Sequence, residues 1–137
     1  MDQPEPASGE AVVRTLRVGI DGTDHEIIDG EHGSFPEDAD FQVLGHEAVG
    51  VVEDANGTIL QKGQVVVPTV RRSPVGKMTT EYLDRGEPDT APGGEYVERG
   101  TVGAHGYMAK FFTSPEEFLV PIPDEVWKHG FLIERPW

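Results

Sequence analysis

Hydrophobic residues recur along this chain in short runs separated by glycine, proline and acidic residues, a pattern typical of short β-strands. The runs rich in valine, leucine and isoleucine predict strands over residues 11–20, 42–44, 48–53, 64–70, 102–112 and 118–122. Asn56-Gly57 is a strong signal for a hairpin turn. We therefore predict a mainly β fold, arranged as a small barrel or sandwich.

One or two short helices should accompany these strands. Asp21-Gly22-Thr23-Asp24 combines a turn with residues that cap helices, and a helix through His25 and Ile28 would end at Gly30. A second short helix is expected near the end of the chain. Residues 71–100 are rich in proline, glycine and charge, which predicts a long loop of the kind that is usually functional or mobile.

The composition narrows the classes of function. Asp and Glu number 25 against 11 Lys and Arg, for a formal net charge of -14. This excess excludes nucleic acids and anionic membranes as expected partners, because phosphate binding needs cationic side chains. Such acidity with few lysines is typical of a protein from a high-salt cytoplasm, where carboxylates keep the surface hydrated, although an ordinary acidic domain is the alternative.

The residue types that are missing limit which side chains could bind a metal and where in the cell the protein is expected. Cysteine is absent, so any metal site must use histidine and carboxylates. No apolar run approaches the ~20 residues that span a membrane, and the polar start of the chain has no basic segment typical of a signal peptide. We therefore expect a cytoplasmic protein with no membrane partner.

Asp21, His46 and Glu134 are candidate metal ligands. A catalytic zinc takes three protein ligands and leaves one position for water or substrate, and imidazole and carboxylate groups suit this ion. Glu47 adds a carboxylate beside His46. Each residue also has a simpler interpretation: Asp21 could cap the helix, His46 could be a buried hydrogen-bonded histidine, and Glu134 could be a surface charge. Spacing alone does not choose between these interpretations.

Two neighbours of Asp21 could support such a site. The Thr23 hydroxyl could accept the proton of a metal-bound alcohol, or Thr23 could be a helix N-cap; both roles are compatible. Asp24 could accept the N–H of His46 from outside the metal's ligand shell and fix its tautomer, or it could simply complement the helix dipole.

No cofactor-binding residue is predicted. Gly100, Gly103 and Gly106 have the wrong spacing for a dinucleotide fingerprint, which needs a strand, then G-x-G-x-x-G, then a helix. A strand follows these glycines instead of a helix. They are better explained as tight backbone turns at the start of a strand.

Several motifs resemble a known family. Leu44-Gly45-His46-Glu47-Ala48-Val49-Gly50-Val51-Val52, together with residues 62–66 and 106–109, resembles the zinc-dependent medium-chain alcohol dehydrogenases. The strongest similarity is to the glucose dehydrogenases of halophilic archaea, through residues 18–26, 67–72, 103–108 and 111–116. The resemblance extends from about Pro4 to Glu134 and implies a GroES-like barrel as the catalytic domain.

The resemblance also implies roles for individual residues. The metal ligands would be Asp21, which stands where most of the family has cysteine, together with His46 and Glu134. Glu47 would approach the metal during turnover, and Thr23 would be the hydroxyl of the proton relay. Glu98 matches an acid that contacts the sugar. Zinc would be the metal cofactor, and NADP or NAD would accept the hydride.

The chain departs from this family at its two ends. The relatives begin with further strands and continue into a Rossmann domain, which the sequence does not show. We therefore expect a flexible segment at 1–9, a GroES-like domain at 10–134 with the loop at 71–100, and a tail at 135–137 unlike the family. Such a chain would be a truncated catalytic domain that is inactive alone.

Other functions remain open at this point. The chain could be a stand-alone zinc- or sugar-binding module, a subunit completed in trans by a nucleotide-binding chain, or a folded remnant without a retained site. Missing strands would also leave open sheet edges, through which two copies could form a homodimer.

Overall fold

The computed structural model describes residues 3–73, 81–87, 90–92 and 96–128 of this chain. Its strands are β1 (Glu10–Gly19), β2 (Glu47–Asp54), β3 (Val65–Pro68), β4 (Arg71–Arg72), β5 (Val97–Arg99), β6 (Gly103–Ala104), β7 (Phe111–Pro115) and β8 (Leu119–Pro121). Its helices are α1 (Gly22–Ile28), α2 (Glu81–Asp84), α3 (Asp124–Trp127) and a 3₁₀ turn at Glu116–Phe118. The mainly β fold with short helices is confirmed.

The larger sheet has five strands in the order β7-β1-β2-β3-β8. The long strands β1 and β2 form its centre and run antiparallel, with Val18 opposite Ala48 and Gly19 opposite Glu47. A second sheet, β4-β5-β6, contains a parallel pair between β5 and β6. The β1–β2 pairing positions the candidate site, because it brings the end of one strand beside the beginning of the other.

Valines dominate the core around these central strands. Ala48, Val49 and Gly50 are three consecutive buried residues of β2, so both faces of this strand are covered, as in a strand at the centre of a closed or curled sheet. The buried hydrophobic cluster comprises Ala11, Val13, Ala48, Val52, Leu60, Val66, Tyr107, Phe112 and Leu119.

A buried arginine ties elements of the two sheets together. Arg72 of β4 donates from Nη2 to the Tyr107 hydroxyl at 3.1 Å and to Ser114 Oγ of β7 at 3.5 Å. Its Nη1 donates to Thr69 Oγ1 at 3.2 Å, and its guanidinium lies 3.8 Å from the Phe118 ring centroid. Arg72, Tyr107, Ser114 and Thr69 are called the Arg72 node below.

The structure corrects four local predictions. The single strand expected over 102–112 is divided into β6 at Gly103–Ala104 and β7, which begins at Phe111. Residues 42–44 form no strand. The segment 71–100 was expected to be a loop, but it contains β4 (Arg71–Arg72) at its start and β5 (Val97–Arg99) near its end. Asn56-Gly57 is a tight turn with positive φ at both residues, but β2 and β3 are joined by ten residues rather than by this pair alone. In each case short-range sequence pattern gave way to pairing with distant segments.

The edges of the larger sheet are short, and proline ends both of them. β7 ends at Pro115 and β8 at Pro121, and proline cannot donate a ladder hydrogen bond. The Thr113 carbonyl of β7 already accepts a hydrogen bond from Arg99 Nη1 at 3.2 Å. These features oppose pairing with a second copy, so the edge-mediated homodimer stays a prediction. Among the described residues, no helix is long and apolar enough to cross a membrane.

Candidate metal centre

Pairing of β1 with β2 brings Asp21 and His46 to the same end of the larger sheet. Gly19 is the last residue of β1 and lies opposite Glu47, the first residue of β2. Asp21 follows β1 by two residues and His46 immediately precedes β2. Two side chains separated by 25 positions in the sequence therefore become neighbours because their strands are antiparallel.

A capping box at the start of α1 fixes the Asp21 carboxylate. Asp21 Oδ1 accepts the Thr23 backbone N–H at 2.8 Å, while the Asp21 N–H donates to Asp24 Oδ2 at 3.1 Å. Asp21 is thus the N-cap, as one interpretation of the sequence proposed. The suggestion that Thr23 is the N-cap is wrong, because α1 begins at Gly22 and Thr23 lies within it.

His46 lies between two carboxylates that face its two ring nitrogens. Its Nε2 is 3.6 Å from Asp21 Oδ2, and its Nδ1 is 3.8 Å from Asp24 Oδ1. One ligand atom from each of the three residues can be chosen so that all lie within 4.8 Å of one another. The exposed fraction of the side chain is 47% for Asp21, 17% for His46 and 2% for Asp24, so the cluster opens to solvent through Asp21.

Two atoms of this cluster are buried and have no hydrogen-bond partner: Asp24 Oδ1 and His46 Nδ1. Buried polar atoms in native proteins are nearly always paired, so such exceptions need an explanation. Here the two atoms face each other at a distance just beyond hydrogen-bond length. A proton on His46 Nδ1 and a small approach of the two side chains would satisfy both.

The Asp21 carboxylate is kept ionised. Burial by itself would raise its pKa, but the hydrogen bond from the Thr23 N–H and the nearby His46 imidazole together hold this pKa below its ordinary value. The Thr23 hydroxyl is a further hydrogen-bonding neighbour of the same carboxylate. An ionised carboxylate is the form that binds a metal ion.

The spacing of Asp21 and His46 fits a tetrahedral ion. Two ligands at about 2.1 Å from such an ion are about 3.4 Å apart, close to the 3.6 Å between Asp21 Oδ2 and His46 Nε2. Asp24 faces the opposite nitrogen of the same ring. The three-residue group therefore divides into two candidate ligands and one partner of the histidine.

The other predicted site residues are placed differently. Glu47 begins β2, and its side chain lies across Gly19, where any β-carbon would collide with the Glu47 carboxylate. Glu98 of β5 is 2.8 Å from Arg71 Nε, with both side chains mostly buried. Sequence reasoning missed Arg71, because a cross-strand ion pair depends on a register that the sequence does not reveal. Glu134 and the tail at 135–137 lie outside the described residues.

The chain is similar to known proteins in both sequence and fold. The family described as alcohol dehydrogenase GroES-like domain matches residues 7–124. Glucose 1-dehydrogenase of Haloarcula marismortui is 65% identical over 133 residues, which are 97% of this chain and 37% of that protein. D-arabinose dehydrogenase from Sulfolobus solfataricus, at 20% identity and a TM-score of 0.74 over 90% of this chain and 37% of that one, shares the fold.

A solved structure of a similar protein carries ligands. Haloferax mediterranei glucose dehydrogenase in complex with NADP, zinc and gluconolactone is 64% identical, with a TM-score of 0.88 over 96% of this chain and 37% of that chain. The similarity to glucose dehydrogenases of halophilic archaea is thereby confirmed. The chain spans about 37% of the length of these relatives, and its described residues contain no Rossmann domain. With its fold and its sequence in agreement, the chain belongs to the alcohol dehydrogenase family, as a GroES-like domain.

Proposed function

We propose that this chain is the catalytic-type domain of a zinc-dependent glucose or alcohol dehydrogenase that uses NADP or NAD. The observation that carries the proposal is the facing of Asp21 Oδ2 and His46 Nε2 at 3.6 Å. In the 64% identical Haloferax mediterranei structure, zinc, NADP and gluconolactone are bound. Asp21 and His46 would be two zinc ligands here, and Glu134 would be the third.

The remaining site residues would handle the sugar. Bound zinc would polarise the C1 hydroxyl and favour its ionisation. The Thr23 hydroxyl, beside the Asp21 carboxylate, would accept the proton from this hydroxyl and pass it on towards solvent. Glu98 would hydrogen-bond to another sugar hydroxyl, and its pairing with Arg71 at 2.8 Å would keep it oriented. Glu47 would be a mobile carboxylate near the ion.

Hydride transfer also needs a nucleotide held against C1 of the sugar. We propose that a Rossmann domain binds NADP or NAD, either in the same polypeptide or in a second chain that completes the enzyme in trans. By themselves these 137 residues would then bind zinc without turning over glucose. A cytoplasmic location belongs to the same proposal, whereas the homodimer through sheet edges stays a prediction that the short, proline-ended edge strands do not favour.

The decisive measurement is the metal content of the purified protein in molar KCl, after exposure to zinc and desalting. We expect about one zinc per chain, lost in Asp21→Ala and in His46→Ala. Glu26→Gln is the matched control, because Glu26 is an exposed acid on the same helix and its loss removes the same charge. The protein should show no glucose-dependent reduction of NADP when assayed alone.

Other outcomes of this experiment would change the proposed function. Zinc bound equally by the wild type and by Asp21→Ala would remove Asp21 from the site. Bound zinc with glucose binding but no activity, even after addition of a nucleotide-binding domain from a related dehydrogenase, would favour a zinc- or sugar-binding module. No bound zinc would leave a folded domain without the family's chemistry.

A further inference from the structure

The turn at Asn56-Gly57 contains a side-chain amide that is chemically labile. Asn56 is the only asparagine among the 137 residues, and the residue after it is glycine. Both residues are exposed and have positive φ, 44° for Asn56 and 78° for Gly57, as in the tight turns that this pair favours. Asparagine is among the least durable residues in proteins, and a following glycine has no side chain to hinder attack by its nitrogen on the amide.

The same amide holds the beginning of the described chain against the domain. Asn56 Nδ2 donates to the Ala7 carbonyl at 2.8 Å and to the Glu10 carbonyl at 3.1 Å. We call residues 7–10 the N-terminal turn. Residues 7–9 are exposed, so burial of side chains contributes little to holding them in place. The two hydrogen bonds from Asn56 therefore contribute much of the attachment of the N-terminal turn.

We propose that Asn56 is a site of spontaneous deamidation and that this reaction permanently releases the N-terminal turn. The Gly57 nitrogen attacks Cγ of Asn56, so that a bond from this nitrogen to Cγ forms and the bond from Cγ to Nδ2 breaks. Nδ2 leaves as ammonia and takes up the hydrogen that Gly57 loses. Water then opens the cyclic succinimide at either of its carbonyls and leaves aspartate or isoaspartate at position 56.

The Gly57 nitrogen is available for this attack, whereas the Asn56 amide is restrained. In the part of the chain that the structure describes, no hydrogen bond uses the Gly57 N–H. No atom lies within 4 Å of the position that a Gly57 β-carbon would occupy. The amide must leave both of its carbonyl partners before Cγ can turn towards Gly57. Opening of the N-terminal turn should therefore control the reaction.

An acid at position 56 cannot restore the lost contact. A carboxylate only accepts hydrogen bonds, and its partners would be the carbonyl oxygens of Ala7 and Glu10, which also only accept. The Asp54 carboxylate already lies beside this position, because its Oδ1 accepts the Asn56 N–H at 2.9 Å. Molar salt screens repulsion between charges but supplies no donor. The N-terminal turn should therefore stay released in the salt in which the protein is studied.

The rate of the reaction tests the modification site. The 137-residue chain would be incubated at alkaline pH in molar KCl, either folded or unfolded in guanidinium chloride, and its peptides analysed by mass spectrometry. We expect aspartate and isoaspartate at position 56 in both samples, about ten-fold more slowly in the folded protein because two hydrogen bonds must open first. Gln61 is the internal control, because it is an exposed amide in the same loop that is followed by lysine, and it should remain unmodified.

The product of the reaction tests the release. The Glu10 N–H donates to the Ala7 carbonyl at 3.1 Å within the N-terminal turn. In Asn56→Asp, we expect amide hydrogen exchange at Glu10 to be about ten-fold faster or more. Gln61→Glu adds the same charge to the same loop and should leave this rate unchanged. Deamidated wild-type protein, separated by its extra negative charge on an ion exchanger, gives the same measurement if Asn56→Asp does not fold.

Three results would overturn the proposal. Equal rates of deamidation in the folded and unfolded protein would show that the N-terminal turn does not control the reaction. An unmodified Asn56 in the folded protein after about a hundred half-lives of the unfolded chain would remove the modification site. Unchanged exchange at Glu10 after deamidation would show that the amide does not hold the turn. None of these outcomes depends on zinc, because Asn56 contacts the start of β1 and Asp21 follows its end.

Discussion

The cluster of Asp21, Asp24 and His46 and the Arg72 node are two groups of polar side chains within a valine-rich domain. Their buried polar atoms are hydrogen-bonded to different extents. Arg72 is 8% exposed and uses both terminal nitrogens to donate to Tyr107, Thr69 and Ser114, and only its Nε lacks a partner. In the cluster of Asp21, Asp24 and His46, by contrast, Asp24 Oδ1 and His46 Nδ1 face each other without a hydrogen bond.

This difference separates structural polar groups from those arranged for a ligand. A buried cation costs free energy unless hydrogen bonds compensate it, and burial lowers the pKa of Arg72 to about 10. Hydrogen bonds within the node, such as that to the Tyr107 hydroxyl, and the adjacent Phe118 ring offset this cost. If the proposed zinc binds, it would offset the cost of burying the cluster, so the two regions should respond oppositely to truncation and to zinc.

The largest effect should come from Arg72→Ala, which truncates a buried side chain and removes several hydrogen bonds. We expect the free energy of unfolding to fall by about 3 kcal/mol or more, measured by urea unfolding in molar KCl. The control is Lys62→Ala, because Lys62 pairs with Glu53 at 3.6 Å while its side chain is 73% exposed, and its loss should change stability by less than about 0.5 kcal/mol. Similar losses of stability in the two variants would show that the hydrogen bonds of the Arg72 node contribute little to the stability of the domain.

Zinc bound at the cluster should raise the free energy of unfolding of the domain. A ligand that binds only the folded state adds about 2.7 kcal/mol at 100 times its dissociation constant, and thermal unfolding with and without zinc would reveal this shift. His46→Ala should abolish the shift, and a chelator should reverse it in the wild type. Arg72→Ala should keep the shift, although its starting stability is lower; loss of the shift there would show that the two regions are not independent.

Tyr107→Phe tests the node more gently. The ring stays packed at 4.7 Å from the Phe112 ring, but the hydroxyl that donates to the Thr69 carbonyl at 2.8 Å and accepts from Arg72 is lost. We expect a loss of about 1–2 kcal/mol in urea unfolding, because buried partners are left unsatisfied. Zinc content should remain that of the wild type, and a reduced zinc content would contradict the separation of the two regions.

The smallest effect separates the two functions of Asp21. Asparagine is about as good an N-cap as aspartate, whereas alanine costs about 1 kcal/mol. Asp21→Asn should therefore keep the stability of the zinc-free protein and Asp21→Ala should not, while both lose zinc because the ionised oxygen is gone. Calorimetry and metal analysis of the two variants would test this, and equal stability of the zinc-free variants would show that the cap contributes little.

Much of the fold could be predicted from the sequence. The valine-rich runs indicated the central strands, and Asp21 with Gly30 indicated the bounds of α1, because these signals lie within a few residues of each other. The short strands at Arg71–Arg72 and Val97–Arg99 could not be found in this way. Their composition is that of a loop, and they exist because each pairs with the other although they are far apart in the sequence.

The same division applies to the site. The sequence by itself determined which chemistry is available: without cysteine, a metal must bind to histidine and carboxylates, and the motif around His46 indicated the family. The resemblance to the family already implied that Asp21 and His46 share one site, but only the tertiary structure decided which nitrogen of His46 each carboxylate faces. The antiparallel register of β1 and β2 places Asp21 opposite one nitrogen of His46 and Asp24 opposite the other, since distances between remote residues are set by strand pairing and not by spacing along the chain.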